Sequence, residues 1–357
     1  MNNLTKFLIL SFLFASFIIL TIIAFFHANQ NKCPQTVQND IIFERAVFNG
    51  SLKVIINRQS YEAFAVLSND DIVGEYVNST DDLSFKRVLG IWNAQTGELK
   101  FSLDGHLNPI ILVTVIEKSL VASCDQYVCK IWNISSQSLK FSFNSSKISL
   151  MISLSSVDKL LAIGHSNGYI SIWNYMDNIR IHYLEAHNKN IRCLLALEKR
   201  NYIISSGESG KIKVWKYSLA NIILLFTLKN HQKAVTSIVA MGSNRFLASC
   251  SLDKTILLWD LNDGSLKFNL TGHKTEIIKL IVWKDVFLIS GDLSGLIRVW
   301  RLENNYEMKF HYNLIGHERN IRDLVVLRNG DLISGDVSGS FLNHSNLKKL
   351  KSISKII

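Results

Sequence analysis

Histidine, serine and aspartate are the side chains that a hydrolase combines into a catalytic triad, and this sequence repeats them at intervals. Ser249 and Asp253 follow His231, and further histidines precede short apolar runs in the same way: His106, His187, His273 and His317. A catalytic triad occurs once in a chain, whereas this pattern recurs. The sequence also contains no nucleophile elbow, phosphate-binding glycine loop or metal-binding motif. The recurrence therefore indicates structural residues.

Tryptophan sets the period of the repeat. Short apolar runs are closed by Trp92, Trp132, Trp173, Trp215, Trp259 and Trp300, with gaps of 40, 41, 42, 44 and 41 residues. Each run has the composition of a strand, and a turn rich in Gly, Ser, Asp or Asn precedes most of them. Further strands follow the tryptophan and the histidine. Each repeat unit therefore contains four strands, and we predict an all-β chain.

A four-stranded unit of this length cannot bury both of its faces alone, and radial stacking of such units solves the problem. The pattern resembles the WD-repeat β-propeller family over about Gly50 to His344. This resemblance implies four-stranded antiparallel blades, each with a network of a histidine, a second-strand serine, a turn aspartate and a third-strand tryptophan. Buried indole, hydroxyl and imidazole groups need such partners.

The implied network is clearest in one repeat, where it consists of His231, Ser249, Asp253 and Trp259. Four other repeats supply parts of it: His106, Ser123 and Trp132; His187, Ser205 and Trp215; His273, Ser290 and Trp300; and His317 and Ser334. Trp92 and Trp173 belong to two more blades. Asn167, Ser209 and Ser294 are predicted to replace the turn aspartate, and blades one, three and seven to be less rigid than blade five.

We predict seven blades. The stretch "LISGDLSGLIRVW" from Leu288 is matched by "LISGDVSGSFLNH" from Leu332, so His344 takes the tryptophan position of a degraded seventh repeat. Residues 51–57 are predicted to supply the outer strand of this blade and to close the ring. A C-terminal strand from Leu347 is the alternative.

The N-terminus contains 20 uncharged residues from Phe7 to Phe26, enough to span a bilayer core of ~30 Å. We predict a transmembrane helix that acts as a signal anchor, because the run exceeds the ~7–15 apolar residues of a signal peptide. The predicted organisation is a tail (1–6), this helix (7–26), a linker (27–49), the propeller (50–344) and a basic tail (345–357). We therefore predict a single-pass membrane protein whose propeller is either cytosolic or lumenal/extracellular.

The cysteines and sequons bear on the compartment. The five cysteines are Cys33, Cys124, Cys129, Cys193 and Cys250, and for Cys124 and Cys129 buried thiols are favoured over a cross-strand disulfide. Acceptor sequons for N-glycosylation begin at Asn49, Asn78, Asn133, Asn144, Asn269 and Asn343, and they matter only in a lumenal domain.

These features favour a non-catalytic scaffold without cofactor or metal, which docks proteins or peptides on its loops and is tethered to a membrane through residues 7–26. The alternatives are an enzyme that uses the propeller channel, and a propeller that binds nucleic acid or anionic lipid through the net charge of +10. The basic residues are scattered without interleaved aromatic residues, so binding to nucleic acid is disfavoured.

Overall fold

The structure is a computed structural model that describes residues 22–25, 42–45, 64–67, 71–81, 84–93, 98–144, 148–155, 158–303, 306–314, 316–326, 332–336 and 341–344. Within these ranges the regular structure consists of strands and one short 3₁₀ helix, Glu198–Arg200. The chain divides into two compact units, Met1–Ser145 and Ser146–Ile357.

The first unit contains a strand pair and two four-stranded antiparallel sheets. The pair joins β1 (Ile22–Phe25) to β2 (Ile42–Arg45). Sheet 1 consists of β3 (Phe64–Val66), β4 (Ile72–Asp81), β5 (Ser84–Trp92) and β6 (Leu99–Asp104). Sheet 2 consists of β7 (Leu112–Glu117), β8 (Leu120–Cys124), β9 (Val128–Asn133) and β10 (Ser138–Asn144).

Within the described residues, the second unit contains four four-stranded antiparallel sheets and one three-stranded sheet, each with its strands in chain order. Sheet 3 has β11 (Ile148–Ser155), β12 (Leu160–His165), β13 (Tyr169–Asn174) and β14 (Ile179–Glu185). Sheet 4 has β15 (Ile191–Leu197), β16 (Tyr202–Gly207), β17 (Lys211–Tyr217) and β18 (Ile222–Lys229). Sheet 5 has β19 (Val235–Met241), β20 (Phe246–Ser251), β21 (Ile256–Asp260) and β22 (Leu266–Leu270). Sheet 6 has β23 (Ile277–Trp283), β24 (Phe287–Asp292), β25 (Ile297–Leu302) and β26 (Met308–Leu314). Sheet 7 has β27 (Ile321–Val326), β28 (Leu332–Asp336) and β29 (Phe341–His344).

The core of the second unit lies between successive sheets. Three tryptophans share a core cluster with the preceding sheet: Trp215 of sheet 4 with Ile172 of sheet 3, Trp259 of sheet 5 with Val214 of sheet 4, and Trp300 of sheet 6 with Met241 of sheet 5. In each four-stranded sheet the register with the fourth strand shifts at or next to the tryptophan, as between Leu258 and Trp259. Such a bulge increases the local twist of the strands beside the tryptophan.

The predicted fold class is confirmed as all-β with six four-stranded antiparallel sheets. Sheet 7 has three strands within the described residues. The two segments offered for its fourth strand, residues 51–57 and the chain from Leu347, lie outside the described residues. Seven blades and ring closure therefore stay predictions.

The predicted transmembrane helix is not supported by the structure. Its last residues, Ile22–Phe25, form β1, which pairs with β2 through Ile22 and Arg45. Isoleucine and phenylalanine have high β-propensity, so an uncharged run of them suits a strand as well as a helix. The rest of residues 7–26 lies outside the described part of the chain. Among the described residues, no helix combines the length and apolar character needed to cross a bilayer.

Two further predictions need correction. The prediction of free thiols at Cys124 and Cys129 is wrong, because the two residues are cross-strand partners in β8 and β9 and form a disulfide. Cys193 and Cys250 are buried thiols. The polar stretch over residues 78–82 also predicts a turn from the sequence, but most of it is strand, because β4 continues through Asp81.

Candidate functional site

Sheet 5 contains a four-residue network that joins its first loop to its second and third strands. The Trp259 indole N–H donates to Ser249 Oγ at 3.0 Å, and this hydroxyl lies 2.9 Å from His231 Nε2. His231 Nδ1 lies 2.8 Å from Asp253 Oδ2 and donates to it. Burial raises the pKa of Asp253, but the bonds donated by His231 and Thr255 outweigh it and hold the pKa well below its usual range.

Sheets 2, 6 and 7 use a carboxylate at another position, two residues after the serine. His106 Nδ1 lies 3.1 Å from Asp125, His273 Nδ1 lies 2.7 Å from Asp292, and His317 Nδ1 lies 2.9 Å from Asp336. The same rings lie 2.7 Å from Ser123, Ser290 and Ser334. Trp132 and Trp300 donate to Ser123 and Ser290 at 2.7 and 3.1 Å.

Ser294 lies at the turn position in sheet 6, but it does not take over the role of the carboxylate, because Asp292 on β24 supplies one to the ring. Asp292 accepts from His273 and also from the Ser294 hydroxyl, at 2.6 Å. Side chains two residues apart on a strand point to the same side, so the end of β24 and the turn after it can both present a carboxylate to the ring. The sequence signal was the aspartate two residues after each of Ser123, Ser290 and Ser334.

Sheet 4 has the histidine, serine and tryptophan but no carboxylate at the ring. His187 Nε2 lies 2.9 Å from Ser205 Oγ, which accepts the Trp215 N–H at 3.0 Å. Burial, with the nearby Lys213 ammonium, lowers the pKa of His187 to about 4. Ser209 occupies the place of Asp253, and its hydroxyl is buried without a hydrogen-bond partner among the described residues.

Sheet 3 builds an equivalent network from different residues. The serine position on β12 holds buried Ile163, whose cross-strand partner on β13 is Ser171. Ser171 Oγ accepts the Trp173 N–H at 3.1 Å and lies 2.8 Å from Nε2 of His165. His165 occupies the position that an aspartate takes in sheets 2, 6 and 7. Sequence reasoning missed both residues, although the apolar Ile163 in place of a serine was a visible signal.

Sheet 1 departs furthest from the pattern. Gly74 stands at the serine position of β4, and its cross-strand partner on β5 is Gly90, so neither strand can supply the hydroxyl. Trp92 is buried. His344 ends β29 of sheet 7 at the position of the tryptophan.

The networks resemble triads in composition but cannot act as nucleophiles. Ser123, Ser205, Ser249, Ser290 and Ser334 each have 0% of their surface exposed. In the networks of sheets 2 to 6, which contain a described tryptophan, the serine oxygen also accepts an indole N–H. No substrate carbonyl can reach such an oxygen, and no group of three or more metal-ligating side chains occurs in the part of the chain that the structure describes. The exposed loops are therefore the surface available for binding.

The two ends of the second unit's sheets differ in charge. We define the network end of this unit as the loops that hold its networks. These loops are residues 166–168, 188–190, 208–210, 230–233, 252–255, 272–276, 293–296 and 318–320. Their exposed charged residues are Lys189, Lys233, Lys254, Lys274, Arg319, Glu208 and Glu318. At the opposite end, the described loops expose Asp158, Asp177, Glu198, Asp263, Asp285, Glu307, Lys199 and Lys284. The network end is thus predominantly basic and the opposite end predominantly acidic.

Comparison with protein families supports the repeat interpretation. Residues 178–216 and 223–260 match the WD40 family model, described as "WD domain, G-beta repeat". Each match begins at or next to the fourth strand of one sheet and ends in the third strand of the next. The resemblance to WD-repeat proteins is therefore supported over this part of the chain.

Individual relatives point the same way. An uncharacterized WD repeat-containing protein of Schizosaccharomyces pombe is 26% identical over 231 residues, 62% of this chain and 61% of that protein. The nuclear distribution protein nudF of Aspergillus niger is 30% identical over 38% of this chain and 31% of its own length. The chain thus spans less than two thirds of either relative.

Solved structures share the fold. A chain of the mitotic checkpoint complex matches with a TM-score of 0.64 at 15% identity, over 81% of this chain and 91% of that one. The computationally designed Ika8 protein matches with a TM-score of 0.64 at 22% identity, over 81% of this chain and 87% of its own. These matches support a β-propeller fold.

The aspartate of sheet 5 gives a direct test of the network. We expect Asp253→Ala to destabilise the protein by about 2 kcal/mol, because it removes a partly buried acceptor from His231, Thr255 and the Gln232 N–H. Asp263→Ala, at an exposed turn of the same sheet, is the control and should cause a smaller loss. The free energy of unfolding in urea measures both, and equal losses would contradict the assignment.

The empty carboxylate position of sheet 4 predicts a stabilising substitution. Ser209 follows His187 by the interval that separates Asp253 from His231, so Ser209→Asp should add about 1–2 kcal/mol at pH 7 and raise the pKa of His187 from about 4. Ser209→Asn is the uncharged control and should leave that pKa low.

The pH dependence of the same residue follows from its lowered pKa. The folded state favours the neutral His187 ring. The stability that this ring contributes is therefore fully present above its unfolded pKa of ~6.5 and is lost as the pH falls towards 4. The free energy of unfolding measured in urea should fall by about 3 kcal/mol over that pH interval because of His187, and by less in the Ser209→Asp variant. An identical pH profile for the two proteins would contradict the geometry.

The rearranged network of sheet 3 provides a fourth test. Ser171→Ala should cost about 1–3 kcal/mol, because it removes the partner that Trp173 and His165 share. Ser166→Ala, in the exposed turn between β12 and β13, should have little effect. In the Ser171→Ala background, Ile163→Ser returns a hydroxyl from the neighbouring strand. It should therefore destabilise the protein less there than it does in the wild type. Strictly additive effects on the free energy of unfolding would argue against a shared position.

Proposed function

We propose that this chain, which carries WD40 repeats, is a protein-interaction scaffold whose network end docks acidic segments of partner proteins. WD-repeat propeller proteins commonly act as such scaffolds, and the buried serines leave the networks no catalytic role. The observation that carries the proposal is the charge difference between the two ends of the second unit. Complementary charge attracts a partner and fixes its orientation.

The basic residues of the network end are attached to the networks themselves. Lys254 follows Asp253, Lys274 follows His273, and Lys233 and Arg319 lie two residues after His231 and His317. The network side chains are buried and hydrogen-bonded, so the backbone that presents each cation is fixed. A preordered surface loses less conformational entropy when a partner binds, which favours docking at this end.

Nucleic acid is the main alternative for a basic surface. Recognition of single strands combines basic grooves with aromatic side chains on which bases stack. The described loops of the network end contain no exposed phenylalanine, tyrosine or tryptophan. An acidic peptide needs only the cations and backbone groups, so the protein partner is favoured. Membrane attachment stays a prediction from the sequence.

Peptide selection tests the proposal. Random peptides displayed on phage and selected on the full-length protein should be enriched in aspartate and glutamate. The double variant Lys233→Glu/Lys254→Glu should weaken their binding by about tenfold or more, or ~1.4 kcal/mol. The control Lys199→Glu/Lys216→Glu lowers the net charge equally, away from the network end, and should change affinity by less than about twofold.

Three results would overturn it. The selected peptides could lack acidic enrichment, or the two double variants could weaken binding equally, which would indicate a non-specific charge effect. RNA or DNA could bind through Lys233 and Lys254 more tightly than the acidic peptides, with the steep salt dependence of phosphate contacts.

A further inference from the structure

Asn269 begins the sequence Asn269-Leu270-Thr271, which is an acceptor for N-glycosylation. Asn269 and Thr271 are exposed, and Leu270 between them is buried and anchors the strand. The asparagine lies on β22, which is the outermost strand of sheet 5 in the described structure. A glycan at this position projects from the sheet edge without displacing core side chains.

The disulfide between Cys124 and Cys129 is an independent observation that points to the same compartment. Both residues have 0% exposed surface and occupy opposite positions of β8 and β9. Disulfides form and persist in oxidising compartments and are rare in the cytosol. The enclosed turn holds Asp125, which accepts the Tyr127 and Val128 N–H groups and bonds His106, so the cross-link braces a network.

We propose that the propeller faces the lumen of the secretory pathway or the cell exterior and is N-glycosylated at Asn269. This inference does not depend on the proposed docking function. The uncharged run of residues 7–26 is a feature that can direct a chain into that pathway. A glycan on the outer strand also covers a free sheet edge, which otherwise offers unpaired backbone groups to other chains.

The chemistry is that of oligosaccharide transfer from a lipid-linked pyrophosphate donor by the host transferase. The Asn269 side-chain nitrogen forms a bond to C1 of the first sugar and loses one proton. The bond between C1 and the pyrophosphate oxygen breaks, and the lipid pyrophosphate leaves with the electron pair. At the cysteines, two thiols lose two protons and two electrons to a disulfide oxidant of the same compartment.

The glycan test uses the full-length chain with a C-terminal tag, expressed in eukaryotic cells. We expect an N-glycosidase to increase its gel mobility, and both Asn269→Gln and Thr271→Ala to remove one discrete glycan step. Asn313→Gln is the matched control. Asn313 lies on β26 and pairs with Arg298 of β25, as Asn269 lies on β22 and pairs with Leu257 of β21, but Asn313 begins no sequon. Loss of one step in both Asn269→Gln and Thr271→Ala, but not in Asn313→Gln, supports the site.

The cysteine test counts thiols in the same cells with a maleimide reagent under denaturing, non-reducing conditions. If the disulfide is present, Cys124→Ser/Cys129→Ser leaves the number of labelled thiols unchanged. If the chain is in a reducing compartment, the same variant lowers the number by two. Cys193→Ser should lower it by one in either case, which calibrates the assay without requiring a folded variant.

The proposal is overturned if N-glycosidase leaves mobility unchanged, or if Asn269→Gln keeps every glycan step of the wild type. It is also overturned if the double cysteine variant loses two labelled thiols. A glycan removed by Asn269→Gln together with an unchanged thiol count establishes both the site and the compartment.

Discussion

The buried serine hydroxyl is the group on which each network depends. In sheets 2, 4, 5 and 6 it accepts the indole N–H of the blade tryptophan and meets a histidine nitrogen. Leaving such a group unpaired in the interior costs about 1–3 kcal/mol, so each of these sheets must bring a loop, a second strand and a third strand to one point. The tryptophan that takes part also packs on the preceding sheet, as Trp259 does on sheet 4. One hydrogen-bond acceptor therefore links the internal order of a sheet to its packing against its neighbour.

The same requirement is met by different residues in different sheets. The carboxylate stands four residues after the serine in sheet 5 and two residues after it in sheets 2, 6 and 7. In sheet 3 the hydroxyl moves to the neighbouring strand as Ser171, and the histidine arrives from β12 as His165. Cross-strand partners share one face of a sheet, so a hydroxyl from either strand reaches the same point. Sheet 4 keeps the acceptor without a carboxylate, and there burial and Lys213 lower the pKa of the histidine to about 4. What recurs is a pattern of donors and acceptors, not a set of sequence positions.

This explains which features the sequence could predict. The tryptophan interval follows directly from the length of a four-stranded unit, so the strands around Trp132, Trp215, Trp259 and Trp300 could be placed from it. Asp292 and Ser171 could not, because periodicity does not say which of two equivalent positions points at the ring. The disulfide depended on the register of one hairpin, in which Cys124 lies opposite Cys129 only because the turn contains the four residues between them. At the N-terminus, a run rich in isoleucine and phenylalanine suits both a strand and a membrane helix, and composition alone cannot separate them.

The buried and exposed parts of the network loops have separate roles that depend on each other. His231, Asp253 and Ser249 use their polar groups on one another, which removes the chemistry that their types suggest. The same bonds fix the backbone that carries Lys233 and Lys254 into solvent. Turn glycines extend this order between sheets: Gly210 of sheet 4, at φ +74, packs against the His231 carbonyl oxygen of sheet 5, where a Cβ would collide. Each network loop is thus held both by its own sheet and by its neighbour. A binding surface made from such loops gains its specificity from exposed side chains that can vary, while the buried residues beneath them maintain their spacing.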